Sequence, residues 1–141
     1  MMREFYDEMT FRTNVVAKKA SLALQHGLER FEVTPEQWSV LNVVDQKAPI
    51  SQRHVAEFAE KDAPTVNRII DVLLRKNLID KAVDAKDRRI TLLSLSVEGK
   101  QKVQLIRNVV EETCGNFYKG LTKQELAVFV HILARIENNL E

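Results

Sequence analysis

The sequence predicts a mainly α-helical chain with one small β-hairpin, on three observations. Apolar residues recur at helical spacing in six segments. Two of these open on reciprocal capping signatures, Thr34-Pro35-Glu36-Gln37 and Thr122-Lys123-Gln124-Glu125. Residues 78–95 concentrate Ile, Leu, Val and Thr in two short runs around a charged tip.

A chain of 141 residues suits a single domain. Its 45% hydrophobic content supports a core, and with 29% charged residues it does not read as disordered. Met1-Met2-Arg3-Glu4 leads into no apolar signal-peptide region, and no run of about 18 apolar residues is present. The lone Cys114 cannot form an internal disulfide. The expectation is a cytoplasmic protein without a membrane role. The net charge of +1 gives no global sign of nucleic-acid binding, but the charge is uneven. Residues 51–103 carry eleven Lys/Arg against eight Asp/Glu, whereas the rest carries ten against twelve. A modestly basic middle between slightly acidic ends suits a central lobe that faces nucleic acid.

Residues 4–31 read as one long helix, with a stripe through Phe5, Met9, Val16, Ala20, Leu24, Leu28 and Phe31. A second helix follows the Thr34 box to about Asp45, with Pro35 at its first position and Val33 and Trp38 at staple spacing. Pro49 breaks the chain. Ser51 can cap a short third helix through Val55, Phe58 and Ala59. Glu60-Lys61-Asp62 makes a turn into a fourth helix, about Ala63 to Lys76, which Asn77 ends in the left-handed conformation. The hairpin pairs Leu78–Val83 with Ile90–Leu95. Ser96 caps a fifth helix to about Lys119, ended by Gly120, and a sixth follows Thr122.

On the fourth helix the apolar stripe centres near Ile69, Ile70 and Leu73. Opposite it lie Pro64, Arg68, Asp71 and Arg75, flanked by Thr65 and Asn67. A short helix, a tight turn and a second helix with such an outer face form a helix-turn-helix, whose second helix enters the major groove of DNA. Arg suits guanine O6/N7 and Asn suits adenine N6/N7. Ser51 and Arg53, at the start of the third helix, join the candidate DNA contacts. A plain surface helix with solvated charges explains the fourth helix about as well. The hairpin tip shifts that balance. Lys86, Arg88 and Arg89 are clustered cations with few packing duties, and the minor groove attracts arginine.

The runs Thr34–Leu41, Pro64–Asp71 with Arg75-Lys76-Asn77-Leu78-Ile79, Asp84–Arg89 and Leu93–Lys100 together resemble the MarR family of bacterial winged helix-turn-helix regulators. The likeness covers essentially the whole chain in order. It implies one domain, with residues 34–95 as the DNA-binding lobe and 1–33 and 96–141 as a helical dimerisation region. It implies a homodimer that binds double-stranded DNA at a pseudo-palindromic operator as a ligand-responsive repressor, which leaves room for a small-molecule effector. It also implies a tether from Asp71 to Arg89 at the base of the wing, with Arg88 free to enter the minor groove. The family usually has Gly where Asn77 stands. Its redox sensors commonly place a cysteine in the first helix, whereas Cys114 lies in the fifth.

The residues argue against an enzyme. His26, His54 and His131 are scattered, and neither a phosphate-binding glycine loop nor a nucleophile elbow is present, so no catalytic residue, metal or cofactor is expected. Trp38 is read as core rather than as the wall of a small-molecule pocket. The competing function is a winged helix that docks a protein instead of DNA. Salt separates the two, because counterion release makes DNA binding fall steeply as salt rises.

Overall fold

A computed structural model describes all 141 residues, Met1 to Glu141. The chain folds in the order α1 (Met2–Leu28), a 3-10 turn (Glu29–Phe31), α2 (Pro35–Lys47), β1 (Ile50–Ser51), α3 (Gln52–Ala59), α4 (Ala63–Arg75), β2 (Ile79–Val83), β3 (Thr91–Leu95), α5 (Val97–Phe117) and α6 (Lys123–Leu140). All six expected helices and the hairpin are present. No helix is long and apolar enough to cross a membrane. Three boundaries differ by two or three residues, α2 running on to Lys47 rather than ending near Asp45. The first helix gives way to the 3-10 turn at Leu28, and α5 stops at Phe117 rather than running to Lys119. Gly115 does not interrupt α5.

Both capping boxes form. Thr34 Oγ1 accepts from the Gln37 amide while the Gln37 side chain accepts from Thr34 N–H, and Thr122 and Glu125 do the same. Val33 is fully buried and Trp38 half-buried beside the core, as the staple requires.

The sheet has three antiparallel strands in the order β1-β3-β2. The two-residue strand β1, which pairs Ile50 with Leu93 and Ser51 with Leu92, was not expected from the sequence. It stitches the start of α3 to the inner strand of the hairpin. Val66, Ile69, Ile70 and Leu73 of α4 are buried against this sheet, α2 and α3. Each contributes about 1.5–3 kcal/mol relative to exposure. The base is thinner: α1 packs along α5, and α6 buries none of its residues.

The end of α4, the hairpin and the start of α5 meet at one crowded point. Asn77 adopts φ 58 after α4, its N–H donates to Leu74 O, and the Leu78 N–H reaches Leu73 O. This is a Schellman ending built on Asn rather than Gly. Leu78 O then accepts from Ser96 N–H, and the Ser96 hydroxyl donates to Asn77 O while accepting from Gly99 N–H. A Cβ on Gly99 would lie 1.9 Å from Leu78 O, a backbone atom that cannot move aside alone. Gly99→Ala is therefore expected to destabilise the fold by about 1–3 kcal/mol through overpacking. Asn77→Gly should preserve stability or raise it, and Asn77→Val should lower it, because a β-branched residue resists positive φ. Urea denaturation of the three variants checks this ranking.

Candidate nucleic-acid interface

The outer face of the helix-turn-helix starts at two caps. Ser51 Oγ accepts from His54 N–H and lies 2.8 Å from His54 Nδ1, so this predicted DNA contact is already occupied as the α3 cap. The left-handed Glu60 ends α3, and Asp62 caps α4. Asp62 accepts from the Thr65 amide at 3.0 Å and the Thr65 hydroxyl at 2.6 Å. The Thr65 side-chain bond, then its backbone bond, holds the Asp62 carboxyl below the usual carboxylate range. Thr65 thus commits its hydroxyl hydrogen to the cap. Pro64 follows in the first turn, where its missing N–H costs nothing.

Beyond the caps, Asn67, Arg68, Asp71 and Arg75 are exposed on α4. The structure ties α3 to α4 across this face, because Gln52 Nε2 donates to Asn67 Oδ1 at 2.8 Å. Arg53 approaches Glu57 at 3.9 Å, an exposed pair of little energetic weight. Arg75 Nε donates to the Asp71 carbonyl at 3.4 Å. Arg68 makes no salt bridge.

The wing corrects one expectation. Arg89 does not reach Asp71. Its Nε and one terminal nitrogen donate to the two oxygens of Asp87 at 3.1 and 3.0 Å. The reason is proximity: Asp87 lies two residues away in the same turn, so pairing there orders little extra chain, and the planar guanidinium fits both oxygens. The fork lowers the Asp87 carboxyl and raises the Arg89 guanidinium from their ordinary values. Asp84 accepts from the Lys86 and Asp87 amides and closes the turn. Both wing carboxylates are thus engaged locally, while the exposed Lys86 and Arg88 have no acidic partner.

Two links between base and lobe were not expected from sequence. Arg107 of α5 donates to Asn42 Oδ1 at 2.9 Å and to Asp45 Oδ2 at 2.7 Å, and its guanidinium lies 5.3 Å from the centroid of the Trp38 ring. Trp38 is therefore part of the seam between α2 and α5. Lys76 Nζ donates to the carbonyl of the left-handed Glu32 and to Gln37 Oε1, joining the end of α4 to the start of α2. Arg107 and Asp45 lie 62 residues apart and Gln52 and Asn67 lie 15 apart, so no local pattern announces either pair. The Asp62 cap, by contrast, was visible as an acidic residue directly before Ala63-Pro64.

The model of the MarR family matches residues 31–90, from the end of the 3-10 turn to the wing tip and short of β3. A Listeria innocua protein of unknown function is 45% identical, with 99% of this chain and 98% of that chain covered and a TM-score of 0.78. S. aureus MepR in a DNA complex is 23% identical over 92% of this chain and 96% of that one, with a TM-score of 0.83. Bordetella bronchiseptica BpsR, whose DNA binding is regulated by 6-hydroxynicotinic acid, is 21% identical over 92% and 98%, with a TM-score of 0.80. At these identities the last two attest the fold.

The Arg107 seam yields a prediction. Its side chain is 27% exposed and that of Asp45 is 34%, so water screens the pair only in part. Arg107→Ala should cost about 1–3 kcal/mol by removing charge-assisted hydrogen bonds and leaving Asp45 unpaired. Arg107→Lys should recover only part of this, because a point charge cannot serve Asn42, Asp45 and the indole face together. Thermal and urea unfolding of both variants checks the order.

Proposed function

Because the MarR family model matches residues 31–90, we propose that the chain is a regulator of that family, a sequence-specific double-stranded DNA-binding homodimer that represses from a pseudo-palindromic operator. The observation that carries the reading is the state of the lobe's arginines. Arg53, Arg75 and Arg89 are engaged within the chain, while Arg68 on the outer face of α4 and Arg88 at the wing tip stand exposed and form no salt bridge. On this reading Arg68 contacts a guanine edge in the major groove and Arg88 enters the minor groove. Asn67 joins Arg68 in base reading, and Pro64 and Thr65 lie against the DNA at the start of α4. Lys86 holds a phosphate, and so do Arg53 and Arg75, whose exposed contacts to Glu57 and the Asp71 carbonyl are weak enough to yield. Arg89 braces the wing through Asp87. The response of BpsR to a small acid supports a small-molecule effector here also.

The dimer rests on exposed apolar surface. Phe5, Tyr6, Met9 and Phe11 of α1 and Phe129, Ile132, Leu133 and Ile136 of α6 all face solvent in the single chain. Exposed apolar residues in this number on two helices mark an interface, and a second copy offers the same surfaces in return.

Two outcomes are expected. Arg68→Ala should cost about 1–3 kcal/mol in DNA affinity and relax base preference at two positions about 10 base pairs apart, one in each half-site. Binding titrations at several salt concentrations, on duplexes selected from a random pool, measure this. An unchanged preference removes Arg68 from base reading, and an affinity indifferent to salt removes DNA as the partner. The intact chain should sediment as a dimer at micromolar concentration, and deletion of residues 122–141 should leave monomers or aggregates. A stable monomer that still binds a full operator tightly would overturn the dimer.

A further inference from the structure

The hydrogen bond between Gln52 and Asn67 changes what Asn67 can read. Asn67 is the fifth residue of α4, exposed, one position before Arg68. Gln52 opens α3 directly after the Ser51 cap and is half-buried. A carboxamide carries an oxygen that accepts and a nitrogen that donates twice. To read adenine bidentately, Asn must accept from N6 with the oxygen and donate to N7 with the nitrogen. In this structure Asn67 Oδ1 already accepts from Gln52 Nε2 at 2.8 Å. The bond takes one of the two lone pairs of Oδ1 and ties the Asn67 amide to α3, while Nδ2 keeps both of its donors. Those donors match acceptors, namely N7 and O6 of guanine or O4 of thymine. To read adenine, Oδ1 must accept a second bond, from N6, in an orientation that Gln52 already constrains.

We infer that Gln52 is a specificity-determining positioning residue, which holds Asn67 as a donor toward guanine or thymine rather than as a bidentate reader of adenine. This rests on the DNA-binding reading above and makes a separate claim. Substitutions at Gln52 should change the base chosen, not merely the strength of binding. Gln52→Ala frees Asn67 Oδ1 and restores the adenine mode. Gln52→Glu removes the donor and supplies an acceptor for Nδ2. This turns Oδ1 outward, toward the amino groups of adenine or cytosine.

The test is selection from random duplexes with the full-length wild type, Asn67→Ala, Gln52→Ala and Gln52→Glu at one salt concentration, with circular dichroism to verify that each is folded. Asn67→Ala identifies the position that Asn67 reads by flattening it. There the wild type should favour guanine or thymine. In Gln52→Ala the ratio of adenine to guanine should rise by about fivefold or more, within the discrimination of one bidentate contact. Gln52→Glu should move the same position toward adenine or cytosine, with the position read by Arg68 unchanged in both. The inference is overturned if adenine already dominates in the wild type, if the Gln52 variants leave that position unchanged, or if Asn67→Ala flattens none. In each of those cases the enriched operator still supports DNA binding. If the wild type enriches no duplex, the DNA-binding reading fails and the inference falls with it.

Discussion

The carbonyl of Leu78 sits where α4, the hairpin and α5 converge, and the placement of the outer face depends on how tightly they close around it. Asn77 turns the chain out of α4, Ser96 bonds to both Asn77 and Leu78 carbonyls, and Gly99 lets the first turn of α5 lie directly on the Leu78 backbone. Any side chain at position 99 would push α5 away from this joint. The hairpin would then lose its fixed angle to α4, because β2 begins only one residue after Leu78. A glycine inside the first turn costs helix propensity, roughly 1 kcal/mol against alanine. Here that cost is offset by a close approach that no other residue permits.

Charge on the lobe is arranged by local closure. Three acids on the outer side of the helix-turn-helix and wing have short-range partners: Asp62 the Thr65 amide and hydroxyl, Asp84 the wing amides, Asp87 the Arg89 fork. Asp71, by contrast, is an exposed carboxylate on α4 that forms no salt bridge. Pairing Arg89 with Asp87 gives the wing a rigid turn without help from α4. The lobe's net excess of cations is modest, so its capacity to face phosphates depends on which cations are left unpaired rather than on how many there are.

What the sequence made legible follows from the range of the interactions. Helices, hairpin and capping boxes are written within a few residues, and Thr34, Thr122, Ser51 and Ser96 all form the caps their positions imply. β1 escaped because two residues carry no periodicity, and it exists only through pairing with Leu92 and Leu93. The Asp71–Arg89 expectation failed because a nearer acid won, a competition visible in the sequence Asp87-Arg88-Arg89 but settled only by the geometry of the turn. Gln52–Asn67 and Arg107–Asp45 were out of reach, since each depends on two helices meeting in a particular register.

The distribution of burial separates the molecule into two unequal parts. The core runs from Leu28 to Ile106 and centres on the lobe, where α2, α3, α4 and the sheet enclose Val40, Leu41, Val55, Ile70 and Leu93. Of the large apolar residues left exposed, seven lie in α1 and seven in α6. The lobe can therefore satisfy its apolar surface within one chain, and the terminal helices cannot. On the proposed dimer, stability of the base becomes a property of two chains and rises with concentration, while the lobe keeps its own core. The seam between the parts has an apolar centre, where Leu28, Val103 and Ile106 of the base join the lobe's core, and polar edges: Arg107 against Asn42, Asp45 and Trp38, and Lys76 against Glu32 and Gln37. Polar contacts hold direction better than apolar ones, because each fails when its geometry is lost. Two such links, Arg107 of α5 to α2 and Lys76 of α4 to the Glu32 carbonyl, help to fix how the lobe leans from the base. On the proposed dimer that lean sets the separation of the two copies of α4, and with it the half-site spacing.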